Sequence, residues 1–149
     1  MAMGDHLNEL YQEVILDHYR NPRNKRRLDD ADVDKSQHNP VCGDELEIQL
    51  RVRDDRIEGA YFLGQGCSIS QASASLMTET LQGKSLEEAQ AIATGFRLMM
   101  QGREPEDWDL LGDLAALQNV SRFPVRIKCA ELAWDVFQAG VTEWRAGQG

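Results

Sequence analysis

Apolar and polar residues follow a helical period at the start of this chain, then alternate, and then return to a helical period. Residues 7–20 carry an apolar side chain at every third or fourth position and are followed by Asn21-Pro22, which predicts a helix that ends there. His18 falls on the apolar stripe of this helix. At such a position we favour a partly buried histidine with one hydrogen bond over a metal ligand.

Strict alternation of apolar and polar residues indicates strands in the next part of the chain. Residues 45–53 place Leu, Ile, Leu and Val on one side and charged or amide side chains on the other, which predicts a half-buried strand. Asp54-Asp55 then predicts a turn, and residues 56–63 have the pattern of the return strand of a hairpin. Residues 32–38 are a weaker strand candidate, so we expect a small three-stranded antiparallel sheet.

Helical spacing returns in four later segments. They comprise residues 70–82, 85–100, 105–118 and 126–145, of which 105–118 is one helix or two short ones. Ser85, followed three residues later by Glu88, is an N-terminal signal for the second of them, and the small residues 72–75 would let the first approach a sheet closely. Strands that are separate in sequence from helices predict an α+β fold. We expect one domain over residues 1–149, with its core at about 7–144 and a helical insertion before the last helix.

Composition and charge exclude several classes of function. The chain has 149 residues, of which 42% are hydrophobic, enough for a packed core. No apolar run approaches the ~20 residues of a membrane helix, and the N-terminus lacks the pattern of a signal peptide, so we expect a cytoplasmic protein without membrane contact. A net charge of −9 argues against nucleic acid as a partner. The basic cluster at residues 23–27 is interpreted as a solvated loop or helix C-terminus, with docking of a partner protein as the alternative.

The three cysteines are the first candidates for chemistry. Cys42, Cys67 and Cys129 form a poor disulfide framework, because their number is odd and none has a close neighbour in sequence. Each lies at a junction between predicted elements, and the last two lie near predicted helix starts, where the positive end of the helix dipole favours a thiolate. In a cytoplasmic chain such cysteines are typical of metal or catalytic sites. Spacing alone leaves open that each is simply a small buried hydrophobic residue.

A zinc site would need one more ligand beside three thiolates, because zinc prefers four ligands in a tetrahedron. Asp44 is a candidate, since it follows Cys42 by two residues across a glycine that can turn the chain. Three thiolates and a carboxylate would carry more negative charge than zinc neutralises. Arg126 and Lys128, beside the third cysteine, either offset this excess or are ordinary exposed residues at a helix start, and both interpretations stay open.

Four stretches together resemble the NifU-like N-terminal family, which includes the IscU and SufU proteins. They are Asp17–Asn24 (DHYRNPRN), Asn39–Asp44 (NPVCGD), Gly66–Met77 (GCSISQASASLM) and Arg126–Ala130 (RIKCA). Each stretch is weak evidence alone, but they occur in the order of the family, which makes the combination specific. The resemblance implies an α+β fold with three antiparallel strands and packed helices. It also implies that Cys42, Asp44, Cys67 and Cys129 converge on one Zn²⁺ ion, or on iron or a [2Fe–2S] cluster at the same site.

Two features of the sequence are similar to the SufU branch of this family. Lys128 stands immediately before the third cysteine, where the IscU branch carries a histidine. The segment between Cys67 and Cys129 is also longer than in IscU-like chains, and we expect the extra residues to include Arg97 to Leu117. Both features weaken the similarity to a cluster scaffold.

Similarity to the SufU branch implies a function in iron–sulfur cluster assembly by the SUF system. The protein would be a zinc-dependent sulfurtransferase that takes persulfide sulfur from a SufS-type cysteine desulfurase and works with downstream SUF assembly proteins. In that mechanism a histidine of the desulfurase takes a zinc position and frees one thiolate. We expect Cys42 to be the freed thiolate, because its loop is rich in Pro and Gly, and Arg126 to orient or screen it. Two alternatives stay open, namely an IscU-like scaffold that assembles a [2Fe–2S] cluster and a non-enzymatic protein with structural zinc.

Overall fold

The computed structural model describes residues 12–40 and 43–148 as a three-stranded sheet packed with helices. The helices are α1 (Glu13–Arg20), α2 (Ser68–Leu81), α3 (Leu86–Met100), α4 (Trp108–Leu111) and α5 (Pro124–Gln148). A 3₁₀ helix (Gly112–Arg122) joins α4 to α5. The strands are β1 (Val33–Asn39), β2 (Asp44–Arg53) and β3 (Arg56–Gln65). The predicted α+β class is confirmed. The first residues of the helix predicted at 7–20 lie outside the described residues.

Two antiparallel hairpins build the sheet, in the order β1-β2-β3. Asp54 and Asp55 join β2 to β3, and both have positive φ, 52° and 59°. A two-residue turn with positive φ at both positions matches the right-handed twist of the flanking strands. At the other end of β2, Asp44 pairs with Asn39 of β1, so the short connection between them lies at the same end of the sheet as the end of β3.

Helix α2 is the central element of the fold. Every residue from Ile69 to Thr78 is buried, because α1, β3, the 3₁₀ helix and α5 all pack against α2. Two of its buried hydroxyl groups donate to backbone carbonyls: Ser73 Oγ to Ala130 O of α5 at 2.7 Å, and Thr78 Oγ1 to Ser75 O at 2.9 Å. The first residue before α2, Cys67, is therefore attached to a rigid support.

The structure corrects the start of the last helix and decides between the two alternatives for the segment before it. Helix α5 begins at Pro124 rather than at residue 126, because the fixed φ of proline suits the first position of a helix. Cys129 therefore lies in the second turn of the helix and not in the first, where the sequence placed it. The segment predicted at 105–118 as one helix or two short ones is two short elements, one turn of α4 and then 3₁₀ helix, because Gly112 takes a φ of +54° and interrupts the α-helix.

The segment between α1 and β1 covers the polar side of the sheet. The N–H of Leu28 donates to Gln49 Oε1 at 2.8 Å, and the guanidinium of Arg26 lies 4.7 Å from the ring centroid of Tyr61. Gln49, expected on a solvated face, is consequently only 2% exposed. Each member of the basic cluster has a contact within the chain. None of the described helices has the length and apolarity needed to cross a membrane.

Candidate metal centre

Three side chains that could hold a metal ion meet at one end of the sheet. They come from the first residue of β2, the residue before α2 and the second turn of α5, namely Asp44, Cys67 and Cys129. One ligand atom from each lies within 4.8 Å of the others. Asp44 and Cys129 are buried, whereas Cys67 is partly exposed to solvent. The structure thus brings together three of the four ligands expected from the sequence.

The carboxylate of Asp44 uses its two oxygens differently. Oδ1 accepts a hydrogen bond of 2.8 Å from the backbone N–H of Cys67. Oδ2 lies 3.9 Å from Sγ of Cys67. A buried carboxylate is costly unless its oxygens are satisfied, so the hydrogen bond to Oδ1 both stabilises and orients it. Oδ2 is on the side of the carboxylate that faces the thiol of Cys67.

Cys67 is the N-cap of α2, and the helix holds its side chain. Sγ accepts a hydrogen bond of 3.5 Å from the backbone N–H of Ser70, and Ser70 Oγ donates to the carbonyl of Cys67 at 3.0 Å. Sequence reasoning missed Ser70 as part of the site. The spacing contains the signal, since an N-cap side chain typically accepts from the N–H three residues later.

Cys129 is placed by the packing of α5 against α2. Its Sγ lies 3.9 Å from the carbonyl oxygen of Val125 in the preceding turn. The neighbouring carbonyl, that of Ala130, accepts the hydrogen bond from Ser73, and this bond fixes α5 against the helix that carries Cys67. This hydrogen bond between α2 and α5 therefore lies at the residue next to Cys129.

The two basic residues beside Cys129 differ in their environment. Arg126 is half-buried and lies one turn before the cysteine, on the same side of α5. Lys128 is exposed. Of the two, Arg126 is the better placed to influence the charge of the site, and its role in chemistry stays a prediction.

The donor atoms fit a thiophilic metal ion. Two sulfurs and a carboxylate suit zinc or iron, whereas Mg²⁺ and Ca²⁺ prefer ligand sets made of oxygen alone. With a Zn–S distance of about 2.3 Å, two sulfurs of a tetrahedral site lie about 3.8 Å apart. Donor atoms within 4.8 Å of one another need only small side-chain rotations to reach that geometry.

Cys42, the fourth expected ligand, lies outside the described residues. Its neighbours in sequence are well placed by the strands. The N–H of Gly43, whose φ is +72°, donates to the carbonyl of Asn39 at 2.8 Å. Asn39 and Gly43, on the two sides of the residues that are not described, therefore lie beside Asp44, which pairs with Asn39 across the sheet.

Comparison with known proteins assigns the chain to a family. Residues 10–149 match the NifU-like N-terminal domain. The chain belongs to this family. All residues of the candidate metal centre lie within the matched range, so the family resemblance seen in the sequence motifs is confirmed.

Individual members of the NifU-like N-terminal family show the breadth of the match. The zinc-dependent sulfurtransferase SufU of Bacillus subtilis (strain 168) is 47% identical over 147 residues, which are 99% of each chain. The iron–sulfur cluster assembly scaffold protein IscU of Streptococcus pyogenes serotype M1 is 41% identical over 91% of this chain and 84% of its own.

A solved structure has the same fold. It is the SufU protein of Fervidobacterium islandicum AW-1, described as a scaffold for iron–sulfur cluster assembly by the SUF system. It superposes with a TM-score of 0.84 at 31% identity and covers 89% of this chain and 97% of its own. Relatives in this family thus carry names for two roles, sulfur transfer and cluster assembly.

Proposed function

We propose that this protein is a zinc-dependent sulfur acceptor in iron–sulfur cluster assembly by the SUF system. The observation that carries the proposal is the meeting of Asp44, Cys67 and Cys129 within 4.8 Å. A relative that is 47% identical over 99% of both chains is named a zinc-dependent sulfurtransferase, which supports the same role. We further propose that residues 1–149 form one domain and that it acts in the cytoplasm.

The proposed zinc ligands are Cys42, Asp44, Cys67 and Cys129. Cys42 is included because covalent connectivity alone keeps its Cα within roughly 7 Å of the Cα of Asp44. When bound, zinc would hold the cysteines as thiolates. The set carries a formal charge of −4, and Arg126, one turn before Cys129, is the candidate cation that offsets part of it.

Cys42 is the proposed sulfur acceptor. Cys67 is tied into the N-terminus of α2 through Ser70, and Cys129 is buried in the second turn of α5, so neither is free to approach a partner. Cys42 lies instead in a connection that includes Pro40 and Gly43. Exchange at sulfur depends on access as well as on thiolate fraction, and the helix contacts of Cys67 and Cys129 leave Cys42 as the proposed acceptor.

The partner is a SufS-type cysteine desulfurase that carries a persulfide on its own cysteine. The Cys42 thiolate attacks the terminal sulfur of that persulfide, a new S–S bond forms on Cys42, and the S–S bond of the partner breaks. The electron pair of the broken bond leaves with the partner's cysteine as a thiolate, so the transfer needs no external oxidant or reductant. Downstream SUF assembly proteins would then take the sulfur from Cys42.

An IscU-like scaffold for a [2Fe–2S] cluster is the alternative, because relatives at 41% and 31% identity are described as scaffolds. Lys128 favours sulfur transfer, since the IscU branch carries a histidine at that position. The deciding experiment incubates the zinc-loaded protein with desulfurase, cysteine, reductant and ferrous iron without oxygen. Retained zinc without cluster absorbance is expected. Zinc replaced by iron, with a stable cluster spectrum, would assign the scaffold role instead.

A second experiment tests Cys42 directly. Cys42→Ala is expected to abolish the mass increment of one sulfur atom after incubation with desulfurase and cysteine, and to remove the stimulation of desulfurase turnover. Glu87→Gln, on the exposed face of α3, is the control and should behave like the unmodified protein. Full turnover by Cys42→Ala would show that another cysteine accepts the sulfur.

A further inference from the structure

Gly66, the residue before Cys67, leaves the space in which the carboxylate of Asp44 lies. A Cβ built on Gly66 would overlap this carboxylate, and it would lie 2.7 Å from Oγ of Ser70. Packed protein interiors do not tolerate such overlap, so one of the groups would have to move. Ser70 can turn its hydroxyl away, whereas the carboxylate of Asp44 is fixed by the N–H of Cys67.

Three other glycines in the described residues serve the backbone instead. Gly43, Gly83 and Gly112 have φ between +54° and +76°, and a Cβ on any of them would meet nothing within 4 Å. Gly66 differs because its Cβ position is occupied by a group of the metal centre. Its φ of +158° is a second reason for glycine at position 66, and a double-mutant cycle separates this backbone effect from the steric one.

The space at Gly66 decides where the oxygens of Asp44 point. With the carboxylate in this space, the N–H of Cys67 holds Oδ1 at 2.8 Å, and Oδ2 lies 3.9 Å from the thiol of Cys67. A carboxylate pushed out of the space would lose the hydrogen bond from Cys67. The carboxylate would then lose both its position and its orientation beside the thiols.

We propose that Gly66 is a positioning residue that admits the carboxylate of Asp44 to the metal ligand set. This inference rests on the proposed function, in which Asp44 is a zinc ligand. Gly66 thereby keeps one hard oxygen donor beside soft thiolates, a mixed set that a residue with a side chain at position 66 would convert to thiolates alone. Position 66 would thus determine the ligand chemistry without touching the metal.

The test is a double-mutant cycle of the full chain with Gly66→Ala and Asp44→Ala. Zinc affinity is measured by competition with a chromophoric chelator, and Co²⁺ absorption reports the ligand set. Gly66→Ala is expected to lower zinc affinity about 10- to 100-fold and to give the Co²⁺ spectrum of Asp44→Ala. In the Asp44→Ala background the same change should cost no more than about twofold, because the group it displaces is already absent.

Two measurements on the metal-free protein make the result independent of zinc. The Cys67 amide proton, which donates to a carboxylate, should shift upfield in the NMR spectrum of both single variants. The thermal stability lost in Gly66→Ala should be partly regained in the double variant. Gly83→Ala, at positive φ in open space, is the control for backbone strain and should leave the Cys67 signal and zinc affinity unchanged.

The outcomes separate this inference from the proposed function. Equal loss of affinity or stability from Gly66→Ala in both backgrounds would overturn the inference and assign glycine to the backbone conformation. If Gly66→Ala does not fold, a folded double variant supports the inference and an unfolded one overturns it. Full zinc retention by Asp44→Ala would instead remove Asp44 from the ligand set. The amide signal and the stability cycle would then still show whether Gly66 houses the carboxylate.

Discussion

The ring of His18 is joined to Ser75 by a buried hydrogen bond of 2.7 Å between Nδ1 and Oγ. The same hydroxyl oxygen accepts the backbone N–H of Arg23 at 2.8 Å, so its own proton is available to Nδ1. This arrangement favours a neutral ring with its proton on Nε2, which lies 3.7 Å from Glu79. Ser75 of α2 thus binds both α1, through His18, and the loop that follows α1, through Arg23. His18 has the expected hydrogen bond, and at 3% exposure it is more deeply buried than the partly buried histidine expected from the sequence.

Stability should fall as the pH drops below about 7, and His18 should be one cause. Burial, assisted by the positive charge of Arg23, lowers the pKa of His18 from its ordinary value, and the carboxylates of Glu79, Asp17 and Asp113 oppose this only in part. As the pH falls through about 6.5, His18 of the unfolded chain binds a proton while His18 of the folded chain stays neutral. The contribution of His18 to the unfolding free energy is therefore complete above that pH and is lost below it.

Urea unfolding at pH 7.5 and pH 5.5 measures this effect. His18→Gln, which retains a hydrogen-bonding group without a titrating ring, should show a smaller loss of unfolding free energy between the two pH values. His38→Gln makes the same substitution at an exposed position on β1 and is the matched control. An unchanged pH dependence in His18→Gln would contradict the assignment.

Features encoded by residues close in sequence were predictable. Ser85 and Glu88 form the expected capping box, with hydrogen bonds of 3.0 Å in both directions. Asp54-Asp55 forms the expected turn. The burial of Gln49 was not predictable, because it depends on the loop carrying Leu28, which is far from it in sequence. Alternation indicates which side chains share a face, but not which other segment covers that face.

The metal centre depends almost entirely on contacts between distant segments. Asp44, Cys67 and Cys129 belong to three different elements, and their spacing left open that each cysteine was an ordinary buried residue. Only the family resemblance predicted that they converge. Gly66 and Ser70 were missed for a related reason, since the need for space or for a backbone donor becomes visible only when the neighbouring carboxylate and thiol have been placed.

Asp44→Ala should weaken zinc retention more than Asp44→Asn does. Alanine removes both the ligand oxygen and the acceptor of the Cys67 N–H, whereas asparagine keeps a neutral carbonyl oxygen that can replace Oδ1. We expect a loss of affinity of at least about tenfold for alanine and a smaller loss for asparagine. Competition with a chelator at constant pH measures both. Undiminished zinc binding by Asp44→Ala would argue against Asp44 as a ligand.

Ser73→Val should destabilise the protein more than Ser73→Ala. Alanine removes the buried hydrogen bond of 2.7 Å to Ala130 O, which is worth about 1 kcal/mol. Valine removes the same bond and adds two methyl groups between α2 and α5, where overpacking typically costs about 1–3 kcal/mol more. Denaturant unfolding compares the two variants. Equal stabilities would show that the helices can separate at this point without cost.

Gly140→Ala should destabilise the fold even though alanine is the better helix former. In most helix interiors this change stabilises by up to about 1 kcal/mol. At Gly140 of α5, however, a Cβ would lie 2.8 Å from Cγ1 of Val33 and 3.1 Å from Cβ of Lys35, so helix and strand would have to move apart. We expect a net loss of about 1–3 kcal/mol of unfolding free energy, as for other overpacked sites.

Gly147→Ala supplies the matched control for Gly140→Ala, because it makes the same chemical change in the same helix, where a Cβ meets nothing within 4 Å. This variant should be neutral or slightly more stable in denaturant unfolding. The difference between the two variants then measures the contact of α5 with β1 rather than helix propensity. If Gly140→Ala were as stable as Gly147→Ala, the close approach of α5 to Val33 would place no steric requirement on position 140.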